Sequence, residues 1–177
     1  MFHRSERLLL RPGWIEDAAE LTLRISDEGI VRNLQSAPWP YREENARDWL
    51  ALDAQARFPS FVIGLPEATG NPVIGACGIH IGEAGPELGY WIARDWWGRG
   101  FATEAVRALL SMARALGHRR VHARHAVDNP ASGKVLGKAG FQPTGRLVHC
   151  FSNGRGAEVL SREYVALLGE CAGDNDP

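Results

Sequence analysis

Three groups of residues in this sequence have the types and spacing to do chemistry. The first lies in the run from Leu88 to Leu110, where Gly89-Tyr90-Trp91-Ile92-Ala93 is followed by Trp97-Gly98-Arg99-Gly100-Phe101-Ala102-Thr103-Glu104-Ala105. An extended aromatic stretch ends, glycines turn the chain, and a long helical pattern begins. The first turn of a helix leaves backbone N–H groups unpaired, and those donors together with the helix dipole favour a phosphate. Gly98 and Gly100 lack a Cβ, so the backbone there can approach an anion closely. Two commoner phosphate loops do not fit. No Gly-Lys-Ser/Thr triplet follows the first glycine, and a dinucleotide fingerprint would place Gly or Ala at Thr103 within a parallel βαβ unit. The second group is Asp128-Asn129-Pro130-Ala131-Ser132, a strand-to-helix step in which Asn129 suits a helix N-cap. The third is titratable: Glu87 and His80, and the trio His118, His122 and His125. Side chains alternate along a strand, so His122 and His125 point apart, and no metal site is expected.

These residues need elements to position them. Arg7 to Arg11 reads as a short strand stopped by Pro12-Gly13. Trp14 to Ile25 reads as an amphipathic helix with an acidic start, and 26–42 as a loop rich in breakers and aromatics. A second helix is expected from Glu43 to Arg57, with Ala46, Trp49, Leu50 and Leu52 on its apolar side. Ser60–Leu65 and Val73–Ile81 form a hairpin around Ala68-Thr69-Gly70-Asn71, and Glu87–Ala93 adds a third strand. A long helix follows from Gly100 to Leu116, stopped by Gly117. Then come a strand Arg120–Val127, a helix Pro130–Ala139 closed by Gly140, and strands Phe141–Phe151 and Ala157–Leu168 around the turn 152–156. The expectation is one mixed α/β domain over 1–169, with a disordered tail at 170–177.

Bulk properties narrow the class. The chain has 177 residues, enough for one domain with a sizeable core. The formal net charge of −1 argues against a general nucleic-acid binder, but not against a local basic pocket. The three cysteines, Cys77, Cys150 and Cys171, are odd in number and form no CxxC pair, so neither a disulfide framework nor a zinc cluster is implied. The N-terminus does not read as a signal peptide, and no stretch approaches the roughly 18 apolar residues of a membrane span. A cytoplasmic protein without a membrane or nucleic-acid partner is expected, either monomer or homodimer.

Taken together, the motifs resemble a known family. Trp97-Gly98-Arg99-Gly100-Phe101-Ala102 is similar to the acetyl-CoA loop of the GNAT N-acetyltransferases, usually written Gln/Arg-x-x-Gly-x-Gly/Ala. Glu87-Leu88-Gly89-Tyr90-Trp91, then Trp97-Gly98-Arg99-Gly100, then Thr103-Glu104-Ala105 resemble the branch that includes the ribosomal-protein N-terminal acetyltransferases. Asp128 to Ser132 with Lys138-Ala139-Gly140-Phe141 forms a second matching block. Glu6 to Pro12 with Pro38-Trp39-Pro40-Tyr41 forms a third. The three lie in register across nearly the whole chain.

The resemblance implies a mixed, mostly antiparallel sheet that splays where two central strands part, with acetyl-CoA as co-substrate in the splay and no metal. It implies that backbone groups of Trp91, Ile92 and Ala93 pair with the pantetheine arm, and that N–H groups of Gly98, Arg99, Gly100, Phe101, Ala102 and Thr103 hold the pyrophosphate. Arg99 adds positive charge, whereas Arg94 reads as an ordinary surface arginine. Asn129 hydrogen-bonds the pantetheine, and Lys134 lies within reach of the phosphates. Where many relatives place a tyrosine beside the leaving sulfur, this chain has Leu136; Ser132 stands where some ribosomal-type relatives place a donor to the thiolate. Glu87 is the expected base, with His80 as runner-up. Trp39, Tyr41 and Tyr90 are expected to bind the acceptor. The activity implied is transfer of acetyl to a primary amine, foremost a protein or peptide N-terminus. A small-molecule amine and a non-catalytic acyl-CoA sensor stay open beside it.

Overall fold

A computed structural model describes residues 1–52 and 57–169. The chain forms β1 (His3–Arg4), β2 (Leu9–Arg11), a 3₁₀ turn (Ile15–Asp17), α1 (Ala18–Ile25), α2 (Glu28–Val31), α3 (Glu43–Ala51), β3 (Ser60–Gly64), β4 (Val73–Gly82) and β5 (Gly85–Ile92). A second 3₁₀ turn (Arg94–Trp96), α4 (Phe101–Ala115), β6 (Arg120–Ala126), α5 (Pro130–Ala139), β7 (Gln142–Ser152) and β8 (Ala157–Leu167) complete it.

The strands make one eight-stranded sheet in the order β1-β2-β3-β4-β5-β6-β8-β7. Every neighbouring pair is antiparallel except β5 and β6. Those two run parallel and meet at Glu87↔His122 alone among the described residues. Beyond that pair β5 continues to Ile92 and β6 to Ala126, so the sheet opens there. This is the splayed, mostly antiparallel sheet expected. The opening is reinforced on its outer sides, because β4 pairs with β5 from Gly75↔Ile92 to Gly82↔Gly85 and β6 pairs with β8 along its full length.

Strand alternation divides the side chains between two layers. Leu88, Tyr90 and Ile92 face α4 and α5, in a core with Phe101, Ala105, Leu109 and Leu136. Trp91 faces the other way and packs with Tyr41 against α1, α2 and α3. α4 presents Phe101, Ala105, Val106, Leu109, Met112 and Ala113 to the sheet at helical spacing. Gly75 sits where β4 and β5 approach most closely: a Cβ there would lie 2.2 Å from the Trp91 carbonyl oxygen.

Four expected elements differ. The helix expected from Trp14 begins four residues later as α1, after the 3₁₀ turn. Asp17 accounts for this, because its carboxylate takes the Trp14 N–H at 2.7 Å and both Arg11 Nη groups at 2.7 Å, fixing the turn from outside the helix. The loop 26–42 contains α2, started by the Asp27 side chain accepting from the Gly29 N–H. The second helix ends at Ala51, and Leu52 is exposed rather than on the apolar side; of its expected remainder, 53–56 lies outside the described residues. The first strand begins at Leu9, since Arg7 is drawn away to α4. The expected tail and Cys171 also lie outside the described residues. Among the described residues no helix is long and apolar enough to cross a membrane.

Candidate active site

The open end of the splay is flanked by two helix starts, that of α4 after β5 and that of α5 after β6. At the first, Gly98 and Gly100 adopt φ of +75° and +83°, a backbone region that a side chain would strain. Gly100 caps α4 with no side-chain help, and the Glu104 N–H is bonded to the Gly100 carbonyl. The N–H groups of Phe101, Ala102 and Thr103 therefore have no intrahelical partner. Gly98, Arg99 and Gly100 are exposed. The loop is stiffened by its aromatics. Trp97, which stands where the general motif has Gln or Arg, donates its indole N–H to the Ile92 carbonyl at 2.5 Å. Arg94 stacks over the Trp97 ring and pairs with Asp27 through two hydrogen bonds, so it serves the scaffold rather than the loop's anion face.

On β5 the backbone groups divide by alternation. The Ala93 N–H goes to the Ile74 carbonyl at 2.8 Å, and its carbonyl takes the Trp96 N–H. Trp91 is opposite Ala76 in the same hydrogen-bonded phase, so its groups also face β4. Of the three residues expected to serve the pantetheine, Ile92 turns its N–H into the splay; Tyr90, two residues earlier, shares that phase.

At the second helix start the Asn129 side chain accepts from the Ser132 N–H at 3.4 Å. That is the N-cap, and it leaves the Asn129 amide NH₂ available. Ser132 lies on the first turn of α5, and its hydroxyl meets the Tyr90 hydroxyl at 2.8 Å. A strand residue and a helix residue from opposite walls thus touch across the splay. Burial pushes the Tyr90 phenol up to about 12, its bond to Ser132 opposing this, so the ring carries its proton at any physiological pH. Leu136, one turn further along α5, is fully buried in the core. Lys134 is exposed.

The opposite face of the sheet holds the acidic candidate. Glu87 lies at the closed end of the splay, in a row with His80 on β4 and His122 on β6. It is buried, and Arg124 holds both its oxygens, Nε to Oε1 at 2.9 Å and Nη2 to Oε2 at 2.5 Å. This bidentate pair raises the Arg124 pKa further and engages one lone pair of each carboxylate oxygen. The Arg124 Nη1 also donates to Cys150 Sγ at 3.1 Å. His122 Nδ1 is buried without a hydrogen-bond partner. His118 is tied to the Arg57 carbonyl, and His125 faces α5 with its Nε2 3.3 Å from the Tyr164 hydroxyl. The three histidines do not converge, and among the described residues no group of three or more His, Cys, Asp or Glu side chains is placed to hold a metal ion.

Of the expected acceptor residues, Trp39 is 43% exposed, while Tyr41 packs half-buried against Trp91. Burial, with the charge of Asp48 adding to it, pushes the Tyr41 phenol up to about 12. Tyr90 lies on the other side of the sheet from both, with the cofactor-side groups.

Residues 7–142 match the family model of the acetyltransferase (GNAT) domain. The chain belongs to the GNAT acetyltransferases. This GNAT enzyme is 31% identical over 180 residues to the uncharacterized N-acetyltransferase p20 of Bacillus licheniformis, covering 91% of this chain and 97% of that one. A GNAT-family acetyltransferase structure from Bacillus anthracis superposes with a TM-score of 0.79 at 24% identity, over 95% of this chain and 99% of the other. The same fold occurs in the ribosomal L7/L12 α-N-protein acetyltransferase RimL bound to coenzyme A, with a TM-score of 0.75 at 20% identity over 94% and 98% of the two chains. It also occurs in a spermidine N-acetyltransferase chimera from Vibrio cholerae and hSSAT, with a TM-score of 0.72 at 18% identity over 92% and 96%. The structure brings the expected glycines, Asn129 and Ser132 to the two helix starts that flank the opening. Sequence reasoning missed the contact between Tyr90 and Ser132 and the arginine on Glu87, which join residues 42 and 37 positions apart and leave no local pattern.

Proposed function

We propose that this acetyltransferase moves acetyl from acetyl-CoA to a primary amine by direct attack in a ternary complex, and that the amine is a protein or peptide N-terminus. The carrying observation is the splay itself, with unpaired N–H groups at the α4 start and two hydroxyls meeting across it. In this reading the pyrophosphate lies on N–H groups of Gly98 to Thr103, and the pantetheine passes between β5 and β6. The thioester carbonyl accepts from the Ile92 N–H, which stabilises the tetrahedral oxyanion. The Asn129 amide holds the pantetheine, and Lys134 and Arg99 add positive charge near the phosphates.

A peptide α-amine has a pKa of about 8, and its ammonium form must lose a proton to attack. Glu87, fixed by Arg124, orders the water that receives it and draws the ammonium form in. When the C–S bond breaks, the electron pair goes to sulfur. Ser132 and Tyr90 donate hydrogen bonds to that thiolate, filling the role left open by the apolar Leu136. A phenol at about 12 does not give its proton fully to a thiolate, whose own pKa is near ~8.5, so the pair acts as donors and the sulfur takes its proton from water.

The acceptor side favours a single amine over a polyamine. Three carboxylates nearest the opening are held by arginines: Glu87 by Arg124, Asp27 by Arg94, and Asp128 by Arg32 and Arg155. A polycation would need free ones. Trp39 and Tyr41 offer a flat apolar lip to the first residues of a peptide.

The test is a thiol-release screen with acetyl-CoA against peptides of varied N-termini, amino acids, polyamines and aminoglycosides. Turnover concentrated on peptides is expected. Turnover on small amines alone would move the acceptor to that class. Tight acetyl-CoA binding with no thiol released by any acceptor would leave a sensor instead of an enzyme.

A further inference from the structure

We infer that Arg7 is a positioning residue for the phosphate-binding loop, in which its guanidinium, fixed by Glu104, sets the direction of the Gly100 N–H. The inference rests on the acetyl-CoA reading above. Arg7 precedes β2 and lies far from the loop in sequence, yet it is built into the base of it. Glu104, in the first turn of α4, accepts from the Ser5 hydroxyl at 2.7 Å, the Arg7 backbone N–H at 2.7 Å and Arg7 Nε at 2.8 Å. Arg7 Nη2 lies 2.7 Å from Oε2, the same oxygen that takes Nε, while Oε1 takes the Ser5 hydroxyl and the Arg7 backbone N–H. The Glu104 side chain is only 13% exposed. Burial raises its pKa, but the Arg7 backbone, the Ser5 hydroxyl and the Arg7 guanidinium outweigh this and hold it below the usual range.

With Nε and Nη2 committed to Glu104, the third arm of the fork is aimed. Arg7 Nη1 donates to the Arg99 carbonyl at 3.1 Å, and the guanidinium stacks 4.4 Å from the Phe101 ring centre. The Arg99 carbonyl and the Gly100 N–H belong to one peptide plane, in which they point in opposite directions. Holding the carbonyl down onto Arg7 therefore holds the N–H up, on the open side of the loop. Gly100 is at φ +83°, where a glycine peptide would otherwise rotate readily. Arg7 thus supplies order that the glycines give up, and it does so before the anion arrives.

The experiment compares two donors, acetyl-CoA and S-acetylpantetheine, which has the same thioester but no pyrophosphate. Arg7→Met keeps the stem over Phe101 and removes the fork. It is expected to lower the ratio of kcat/KM for acetyl-CoA over S-acetylpantetheine by about 10- to 100-fold, chiefly through KM for acetyl-CoA. Arg7→Lys is the second variant. It retains a charge, but one ammonium cannot hold Glu104 and the Arg99 carbonyl as a planar fork does, so most of the ratio is still lost. A ratio unchanged in Arg7→Met, with wild-type protein binding acetyl-CoA in a calorimetric titration, overturns the role of Arg7 alone. An equal loss on both donors overturns it too, by marking Arg7 as general scaffold, and full recovery in Arg7→Lys does so by marking a simple charge effect. Wild-type protein that binds no coenzyme A removes the acetyl-CoA reading and this inference together.

Discussion

In the proposed mechanism the Tyr90 and Ser132 hydroxyls, which meet at 2.8 Å, divide the leaving-group role between the two walls of the splay. Tyr90→Phe removes the buried phenol without changing the ring's packing against the core. Its expected cost is about 10-fold in kcat with little change in KM, because the lost bond forms on the departing sulfur. Ser132→Ala is expected to behave alike, and the double variant to lose less than the product of the two, since the residues share one hydrogen bond. Steady-state rates on the best peptide acceptor check this. Glu87 and Arg124 form the other residue-scale unit. Arg124 has a side chain only 13% exposed, so Arg124→Met leaves a buried carboxylate without its counter-charge. Without the bidentate hold the carboxylate loses its fixed position, and kcat/KM for the peptide should fall about 10-fold while acetyl-CoA binding is kept. An unchanged kcat/KM would remove the Glu87–Arg124 pair from the reaction.

At the scale of elements, α2 is the part that ties the acceptor side to the cofactor side. Its first end is pinned to the loop after β5 by Asp27 and Arg94, and its last to the loop after β6 by Arg32 and Asp128. The β7–β8 turn adds a third hold, since Arg155 bonds Asp128, the Arg32 carbonyl and the Asn33 side chain. That turn lies so close that a Cβ on Gly154 would fall 2.6 Å from the Val31 carbonyl oxygen. Arg155→Ala should therefore raise KM for the peptide several-fold more than KM for acetyl-CoA, measured by varying each substrate at saturating levels of the other. Hydrogen bonds from arginine hold Asp27 and Asp128 below the ordinary carboxylate value of 3.8. Stability from such groups is present above that value and is lost as pH falls through their lower native values, so α2 should detach first below about pH 4. Hydrogen exchange of 28–36 against pH would show it.

These pins also mark where the sequence was readable. The long elements, α4, α5 and β3 to β8, follow local periodicity and glycine stops, and lie close to where the pattern places them. α2 was read as loop because four residues carry no periodicity and its start is set by an Asp27 that looks like any turn residue. The short first strand has a tertiary cause as well, the hold of Glu104 on Arg7. The proposed phosphate loop was legible because its donors are backbone groups at a glycine turn; the Arg7 that holds the Arg99 carbonyl beneath it was not. Arg7, Tyr90 and Arg124 act through contacts 97, 42 and 37 residues away, which no spacing rule exposes.

For the molecule as a whole, one missing strand contact creates the site. Six of the eight strands are paired on both sides or lie at the sheet edge, and among the described residues it is the β5–β6 junction that is left open after Glu87↔His122. The scaffold on either side has to be firm for that opening to persist. Gly75→Val would drive a side chain into the Trp91 carbonyl, part β4 from β5 and abolish the splay with the fold, seen as loss of a cooperative melt. Leu136→Ala removes a fully buried side chain between α5 and the sheet and should cost about 3 kcal/mol by denaturant titration. The two effects differ in kind, since the second leaves the site's polar groups in place.

In the proposed complex the thioester lies in this opening, between Tyr90 and Ser132, with the pyrophosphate on the start of α4. A crystal structure with coenzyme A tests this most directly. The sulfur is expected within about 3.5 Å of both hydroxyls, and the pyrophosphate on N–H groups between Gly98 and Thr103, with the Gly100 N–H among them. Coenzyme A bound outside the β5–β6 opening, or with its sulfur remote from both hydroxyls, would contradict it.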